Sequence, residues 1–378
     1  MISRLERKHA SLYGPMYDLF ERLAENGHEI HVLLRARSIE DKGTFRIGNL
    51  WLHYIRLPLK FKLNRLLAFP VFLVKAIQLC LQYNINIIYS HIFGFYGLVG
   101  TATAKIIQKP SVHWHCALEG YFRKEMSVLD LITGYYPLTL TVKFSDMLIT
   151  GTKALKRHYL ELWPIDPNKI KILPNSVSLD RFNPSINGEK IRRKLNLKKN
   201  IILFVHHLGE RKGPKYLIKA LPYVKKELPD CVCIMVGTGP QLVELIYLVK
   251  ELGLKNKKDI FFMGEVPSSE IPKFMASSDV LVVPSVAEGF SRVIIEGMAC
   301  GTPIVATTVG GTPDIVTHNK TGLLVPPKNP KELAHAILRI LCDKAIARRL
   351  SKNAYEEVKN KYSLETISAK FIHIVENL

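Results

Sequence analysis

The chain has 378 residues, of which 47% are hydrophobic, and 53 Lys and Arg against 33 Asp and Glu give it a formal net charge of +20. This length indicates two domains rather than one core, and the apolar content excludes an intrinsically disordered chain. The charge favours a polyanionic partner, either nucleic acid, an anionic membrane face or a phosphorylated substrate, with an ordinary solvated surface as the alternative.

The amino terminus is atypical for a doubly wound domain, which normally opens with a strand. Met1–Ser3 is followed at once by loop-like sequence up to Gly14, and no signal-peptide pattern is present. We therefore expect Met1–Ser3 to be the tail of the first strand and the natural chain to start a few residues earlier. Without a full first strand, the sheet would lack a central member.

The first half alternates helices and strands with some irregularity. The predicted elements are a helix at Tyr17–Glu25 that ends at Asn26-Gly27, strands at His28–Leu34, Ile85–Tyr89, Ser111–His115 and Met147–Thr150, and a helix at Val99–Ile107. This alternation indicates a doubly wound α/β domain.

The most apolar stretch, Leu66–Tyr83, is about as long as a membrane span needs. Lys75 lies in its middle, so a packed helix is the favoured interpretation. A helix lying on a membrane surface is the alternative, because Lys60, Lys62 and Arg65 precede it.

The second half alternates more regularly, and its strands are apolar throughout. The predicted strands are Ile201–Val205, Cys231–Val236, Ile260–Met263, Val280–Val283 and Pro303–Ala306, and the predicted helices are Lys215–Leu228, Leu242–Leu252 and one that opens at Asn329-Pro330. Strands of this kind imply a parallel sheet covered on both faces. The Pro/Asn/Gly stretch Asn183–Gly188 marks the junction between the two domains.

The six cysteines are scattered, except for Cys231 and Cys233 on one predicted strand. No second Cys or His pair follows at the spacing of a zinc site. Scattered cysteines in a chain of this length suggest a reducing compartment.

Two glutamates lie where an apolar strand turns into a helix, between residues 284 and 303. The amides that would open this helix and bind phosphate are those of Gly289, Phe290 and Ser291. Glu288 and Glu296 are about 12 Å apart along a helix, so they can bracket a diphosphate and bind hydroxyl groups on either side of it. Alternatively, they are a loop charge and a surface charge of the helix.

Three further turns follow predicted strands in the same half. In the segment Val205–Gly213, Arg211 and Lys212 place positive charge where a leaving diphosphate would lie, and no Gly-Lys-Ser/Thr makes it a P-loop. The turns Gly237–Pro240 and Gly264–Val266 are common types, in which glycine lets the backbone approach a ligand.

These motifs together resemble the retaining GT-B glycosyltransferases, the family called glycosyl transferases group 1 or family 4. The segment from about Ile201 to Asn353 is similar to the donor domain, and Glu288 to Glu296 matches the family's Glu-x7-Glu signature. The other segments that agree are Gly237-Thr238-Gly239-Pro240, Phe262-Met263-Gly264, Gly310–Val316, Ile87–His91, Trp114-His115 and Leu173–Phe182. The resemblance covers nearly the whole chain.

The resemblance implies a GT-B fold, in which two doubly wound Rossmann-like domains face each other across a cleft. The acceptor-binding domain would be residues 1–182 and the donor-binding domain residues 183–378, with a last helix that can cross back to the first domain. The implied activity is transfer of a hexose-type sugar, with retention of configuration, from a UDP- or GDP-linked donor to a glycan or lipid-linked acceptor, as in polysaccharide biosynthesis.

It also implies roles for individual residues. Glu288 would hold hydroxyls of the donor sugar, Glu296 would hold the ribose, and Lys212 would neutralise the departing diphosphate. His115 would contact the donor sugar from the first domain. The other donor-binding residues that it implies are His207, Arg211, Gly239, Gly289, Phe290 and Ser291, with Gly264, Glu265 and Val266 flanking the nucleobase.

The chain departs from the family pattern at several positions. His206-His207 stands where the family usually has Gly-Arg, so His207 replaces a phosphate-binding arginine, and Arg211 or Arg292 would have to compensate. The usual Asn-Gly-Val becomes Asn175-Ser176-Val177. His113 competes with His115, because residues two apart lie on the same side of a strand.

No Asp-x-Asp occurs in the chain, so we expect no metal ligand and no cofactor besides the nucleotide sugar. Fixed positive charge and helix amides would stabilise the leaving group. A glycoside hydrolase is one rival, although it needs two carboxylates about 5–5.5 Å apart for a retaining route. A nucleotide-sugar epimerase is a second rival, and a nucleotide-sugar-binding protein with impaired catalysis is a third.

The acceptor half suggests a cytoplasmic protein in peripheral contact with the inner face of an anionic membrane, and no nucleic-acid partner. The basic residues that motivate this expectation are Lys60, Lys62, Arg65, Arg123 and Lys124. A soluble small-molecule acceptor is the competing case.

Overall fold

The computed structural model describes residues 16–36, 43–56, 64–91, 94–117, 127–197 and 200–378. They form two compact units, one running up to Pro174 and including Ile367–Leu378, the other comprising Asn175–Thr366. The predicted junction at Asn183–Gly188 lies inside the second unit, because Phe182 and Ile191 on either side of it pack into that unit's core. The predicted strand tail at Met1–Ser3 lies outside the described residues.

The first unit contains α1 (16–25), β1 (Ile30–Arg35), β2 (Gly43–Ile47), β3 (Leu50–Ile55), α2 (Asn64–Gln82), β4 (Ile88–His91), α3 (Gly94–Ile107), β5 (Ser111–Trp114), α4 (Val128–Asp130), α5 (Tyr136–Phe144), β6 (Met147–Thr150), α6 (Lys153–Leu162) and β7 (Ile170–Ile172). Its described strands form two sheets. One is the four-stranded parallel sheet β4-β5-β6-β7, and the other has the order β1-β3-β2, with β2 antiparallel to β3. The antiparallel hairpin β2–β3 is absent from our sequence predictions.

The predicted helix in the apolar stretch Leu66–Tyr83 is confirmed up to Gln82, where α2 ends. Phe72 and Leu79 on this helix are buried, and Phe72 contacts the ring of Phe95 on α3 edge to face. Among the helices of the described residues, none is long and apolar enough to cross a membrane.

The second unit contains α7 (Glu189–Lys194), β8 (Ile201–Val205), α8 (Pro214–Glu227), β9 (Val232–Val236), α9 (Leu242–Glu251), β10 (Ile260–Gly264), α10 (Ile271–Ala276), β11 (Val280–Val283), α11 (Arg292–Ala299), β12 (Ile304–Thr307), α12 (Thr312–Ile315), β13 (Leu323–Val325), α13 (Pro330–Cys342) and α14 (Lys344–Lys361). Its six strands form one parallel sheet in the order β10-β9-β8-β11-β12-β13. The predicted strands and helices of this half are confirmed.

Both faces of this sheet are buried, as its continuous apolar strands require. Ile202 and Phe204 of β8 pack with α8, α9 and α13, whereas Leu203 and Val205 pack with α11 and α14 on the opposite face. The predicted helix start at Asn329 is also confirmed, because its side-chain oxygen accepts a hydrogen bond from the Glu332 amide at 3.2 Å.

The last helix, α15 (Leu364–Glu376), begins in the second unit and ends in the first. Within the first unit, the Phe371 ring stacks on Trp114 with centroids 6.3 Å apart and meets Tyr89 edge to face at 5.6 Å. These contacts bring α15 onto residues of β4 and β5.

Candidate functional site

Five loops of the second unit follow parallel strands β8 to β12, so they lie at the carboxyl edge of the sheet, where doubly wound folds bind ligands. The loops are residues 206–213, 237–241, 265–270, 284–291 and 308–311. Backbone N–H groups connect the loop regions, as from Val286 to Arg211 C=O (2.7 Å), Leu208 to Thr238 C=O (2.9 Å), Gly237 to Gly264 C=O (2.8 Å) and Gly311 to Glu288 C=O (3.0 Å). These backbone hydrogen bonds join the loops that carry the predicted motifs into one continuous surface.

Two glycines allow these loops to approach each other. Gly310 has a φ of +49°, and a Cβ there would collide with the carbonyl oxygen of Glu288. Gly213 has a φ of +64°, and a Cβ there would collide with the carbonyl oxygen of Pro284. Only glycine fits both the left-handed backbone and the space, so these two residues fix the position of the loop that carries Glu288.

The centre of the site is an ion pair between two residues that the sequence predicted separately. Lys212 Nζ donates to Glu288 Oε2 at 2.6 Å, and the two side chains are only 6% and 5% exposed. Ser285 Oγ donates to the same Glu288 oxygen at 3.4 Å, and Thr307 Oγ1 donates to the Ser285 carbonyl at 2.6 Å. The pairing and its hydroxyl support were not apparent in the sequence.

Burial has the largest effect on the pKa of Lys212. It lowers the pKa of the Lys212 ammonium; the Glu288 carboxylate opposes this shift, and the Arg211 charge adds to it. An ammonium has three N–H donors, and the described residues offer this one a single acceptor, Glu288. The remaining donors are suited to an anionic ligand.

The second predicted carboxylate, Glu296, lies on α11 and is also paired. Arg292 donates to it at 2.9 Å across one helical turn, and the Glu296 side chain is 10% exposed. The i,i+4 spacing of this pair could have been recognised in the sequence. Ser291 occupies the N-cap position of α11 without a side-chain capping bond, and its buried hydroxyl has no hydrogen-bond partner among the described residues.

The histidines that replace the family's Gly-Arg have different environments. Burial, with the nearby charges of Lys212, Arg211 and His207, lowers the pKa of His206 to about 3. His206 is therefore neutral at neutral pH, and its Nδ1 accepts a hydrogen bond from the His207 amide at 2.7 Å. His207 is exposed, with its ring beside Gly209.

The turns predicted to flank the donor lie at the same edge of the sheet. Gly264 ends β10 with a φ of +68°, Glu265 after it is exposed, and Val266 packs against the core below. In the turn after β9, a Cβ on Gly239 would collide with the Leu208 carbonyl oxygen.

His115 lies in the first unit, whereas the other predicted site residues lie in the second. It follows β5 and is fully buried; its amide donates to the Ile149 carbonyl at 2.9 Å. Its ring stacks on His113 with centroids 5.7 Å apart, and His113 Nδ1 lies 2.9 Å from Ser90 Oγ.

A third imidazole, His91, ends β4 beside this pair, and the sequence did not predict that the three rings would gather. Burial and the neighbouring His115 lower the pKa of His91 to about 3, and burial lowers the pKa of His113 well below its usual value, with His115 and His91 adding to the shift. Both rings are therefore neutral at neutral pH.

Comparison with known proteins adds two matching family models. Residues 187–357 match the model described as "Glycosyl transferases group 1", and residues 16–181 match the model described as "Glycosyltransferase Family 4". The two matches lie in different halves of the chain and do not overlap, so together they account for most of it.

Two curated relatives and one solved structure are similar. An uncharacterised glycosyltransferase of Methanocaldococcus jannaschii is 32% identical over 238 residues, covering 61% of this chain and 60% of the relative. The UDP-Gal:alpha-D-GlcNAc-diphosphoundecaprenol alpha-1,3-galactosyltransferase of Escherichia coli is 30% identical over 222 residues, 56% of each chain. The matched region thus spans less than two thirds of both relatives. Sucrose-phosphate synthase of Thermosynechococcus elongatus superposes with a TM-score of 0.78 at 26% identity, covering 95% of this chain and 91% of that one.

Proposed function

The chain belongs to the glycosyl transferases group 1 family and has the GT-B fold, and from that premise we propose that it transfers a hexose-type sugar from a UDP- or GDP-linked donor with retention of configuration. The observation that carries the proposal is the buried Lys212–Glu288 pair at the carboxyl edge of the second unit's sheet. It combines a cation for a leaving diphosphate with a carboxylate for sugar hydroxyls.

In this proposal, the donor's anomeric carbon loses its bond to the diphosphate oxygen and gains a bond to the acceptor hydroxyl on the same face. The acceptor's proton passes to the departing diphosphate. Lys212 holds the growing negative charge together with the amides of Gly289, Phe290 and Ser291, which open α11. Glu288 keeps Lys212 charged and oriented, and its second oxygen binds hydroxyls of the sugar.

The remaining donor contacts are proposed on the same surface. Glu296 would bind the ribose hydroxyls, and Gly264, Glu265 and Val266 would flank the base, with Gly239 allowing close approach of the backbone. Arg211, Arg292 and His207 are the candidates for the phosphate contact of the family's usual arginine. The neutral His206 does not supply that charge. The role of His115 in contacting the donor sugar rests on the family resemblance alone, because its side chain is fully buried in the first unit.

We propose a glycan or lipid-linked acceptor, used in the cytoplasm at the inner face of a membrane. The name of the Escherichia coli relative supports the choice, because that enzyme acts on a sugar linked to diphosphoundecaprenol. The lysines and arginines that first motivated a membrane-held acceptor, residues 60, 62, 65, 123 and 124, lie outside the described side chains.

The proposal is tested by incubating the protein with UDP- and GDP-hexoses and a diphosphoundecaprenol-linked sugar, in excess chelator. We expect acceptor-dependent release of the nucleoside diphosphate and a product whose anomeric proton shows the donor's configuration. A free sugar formed without acceptor would favour a hydrolase, and an isomerised donor would favour an epimerase. Binding without turnover would indicate an impaired enzyme. Activity that is lost in chelator and restored by magnesium or manganese would contradict metal independence.

Replacing Glu296 by alanine should weaken donor binding by about 1.5–3 kcal/mol, roughly 10- to 150-fold in Kd, because a charged hydrogen bond to the ribose is lost. Calorimetric titration with UDP and GDP measures the change without turnover. The matched control is Glu357→Ala, which removes a similar i,i+4 pair with Lys361 (2.8 Å) on α14. Equal affinities of the two variants for the preferred nucleotide would refute the ribose assignment.

A further inference from the structure

A row of exposed apolar side chains runs along helix 128–144, the continuous helix formed by α4, a π-helical turn at Leu131–Tyr135 and α5. The row, here called the apolar stripe, consists of Val128, Ile132, Tyr136, Leu140 and Phe144, which are between 41% and 73% exposed. Five large apolar residues spaced by four along one helix are unusual for a surface that faces only water.

The π-helical turn helps to keep the stripe in line. In an α-helix, residues four apart drift by about 40° around the axis. The Tyr136 amide bonds to the Leu131 carbonyl, a five-residue step. A π-helical turn holds more residues than an α-helical turn, so residues four apart rotate by less than a full turn there. The rotation in this turn therefore offsets the drift that accumulates in the α-helical parts.

The opposite face of helix 128–144 is fixed against α3. Leu138, Thr141 and Val142 are buried, and a Cβ on Gly94 would collide with the backbone of Leu138. Thr141 Oγ1 donates to the Gly94 carbonyl at 3.3 Å. The stripe therefore faces away from the core of the first unit.

A pocket of about 580 Å³ opens at the Phe144 end of the stripe. Three of its lining residues, here called the lysine cluster, are Lys105, Lys143 and Lys169. Lys143 Nζ lies 5.5 Å from the centre of the Phe144 ring, and Lys169 Nζ donates to the Lys143 carbonyl at 2.7 Å. Apolar and cationic groups are thus continuous at this end of the helix.

The two carboxylates of the pocket already have partners. Asp146 accepts hydrogen bonds from Lys105 Nζ at 2.6 Å and from Ser111, and Asp166 accepts the Asn168 amide at 2.8 Å. Among the described residues, Lys143 makes no ion pair. The pocket is lined by three lysines and two carboxylates, so its net charge is positive.

We propose that helix 128–144 lies on an anionic lipid bilayer, with the apolar stripe at the acyl boundary and the phosphate of a lipid headgroup in the lysine cluster. Apolar residues flanked by lysines are the composition of helices that lie in the membrane interface. A second copy of the chain fits less well, because two copies paired through this face would bring the lysine clusters and two net charges of +20 together. The inference rests on the proposed function in taking the acceptor to be membrane-held.

Flotation with vesicles of phosphatidylcholine, with or without phosphatidylglycerol, tests the proposal. The wild-type protein should float with the anionic vesicles and far less with the neutral ones, and salt should weaken binding. We expect Leu140→Ser/Phe144→Ser to reduce the partition coefficient at least tenfold and Lys143→Glu to reduce it severalfold. Circular dichroism checks that these exposed substitutions leave the fold intact.

The matched control is on α9 of the second unit, where Val243 and Tyr247 are 64% and 66% exposed and Lys250 lies 5.9 Å from the Tyr247 ring. Val243→Ser/Tyr247→Ser and Lys250→Glu should bind vesicles as the wild type does. The proposal is overturned if the wild type does not float with anionic vesicles, if the stripe variants float equally well, or if the stripe variants instead dissociate a dimer in sedimentation equilibrium.

A separate measurement keeps this inference distinct from the proposed function. Transfer to a detergent-solubilised acceptor should be unchanged in the stripe variants, because no membrane is present. Loss of vesicle binding with full transfer supports the docking surface. Vesicle binding without transfer in the wild type would count against the proposed function and leave the surface standing.

Discussion

Replacement of Lys212 by methionine should lower kcat by roughly 10²–10³-fold, because it removes a fixed cation from the position where negative charge develops on the leaving diphosphate. It should also lower the free energy of unfolding by about 3–5 kcal/mol, since Glu288 would remain buried without its partner. Turnover is measured at saturating donor, and stability by denaturant unfolding.

The double variant Lys212→Met/Glu288→Gln separates these two effects. It leaves no unpaired charge, so most of the lost stability should return while kcat stays low. The control is Lys225→Met, which breaks the pair between Lys225 and Asp259 (2.8 Å) elsewhere in the same unit and should leave kcat unchanged. Recovery of kcat together with stability in the double variant would show that Lys212 is only structural.

The second large effect is expected at Gly310. Gly310→Ala places a Cβ against the Glu288 carbonyl at a φ of +49°, so that the loop carrying Glu288 must move. Strain at positive φ and a backbone collision together should cost about 3–5 kcal/mol of unfolding free energy. Because Glu288 moves with the loop, kcat should also fall.

The control is Gly253→Ala, at a φ of +68° with no heavy atom within 4 Å of the added Cβ. This change carries only the conformational strain, about 1–2 kcal/mol. Thermal unfolding of both variants, with kcat measured at a temperature where each is folded, decides the case. If the Gly310→Ala variant is as stable and as active as the Gly253→Ala variant, Gly310 does not fix the position of the loop that carries Glu288.

The sequence was most informative where local pattern determines structure. The strands of the second unit are apolar runs bounded by turns, and each motif follows one of them, so parallel order alone places the motifs at one edge of the sheet. Contacts between distant segments were not predictable in this way. Lys212 and Glu288 are 76 positions apart, and the approach of Gly310 to Glu288 depends on how two loops cross.

The first unit was less predictable, for physical reasons that its residues show. Helix 128–144 contains Gly134 and Pro137, which weaken a helical pattern, and its exposed side is as apolar as its buried side. The hairpin β2–β3 was missed although both strands are of ordinary length and the first, Gly43–Ile47, alternates polar and apolar residues as a half-buried strand does. The three histidines near the ends of β4 and β5 gather only through the pairing of those strands.

The path of α15 determines the order in which the molecule can be completed during translation. Phe371, which packs on Trp114 and Tyr89, belongs to a segment that leaves the ribosome after the whole of the second unit. The first unit therefore emerges first but lacks one aromatic layer of its packing until the second has been synthesised. Released as a separate fragment, residues up to Pro174 would expose those rings to solvent. Packing of the first unit is therefore completed only when the end of α15 is present, although each unit has its own core.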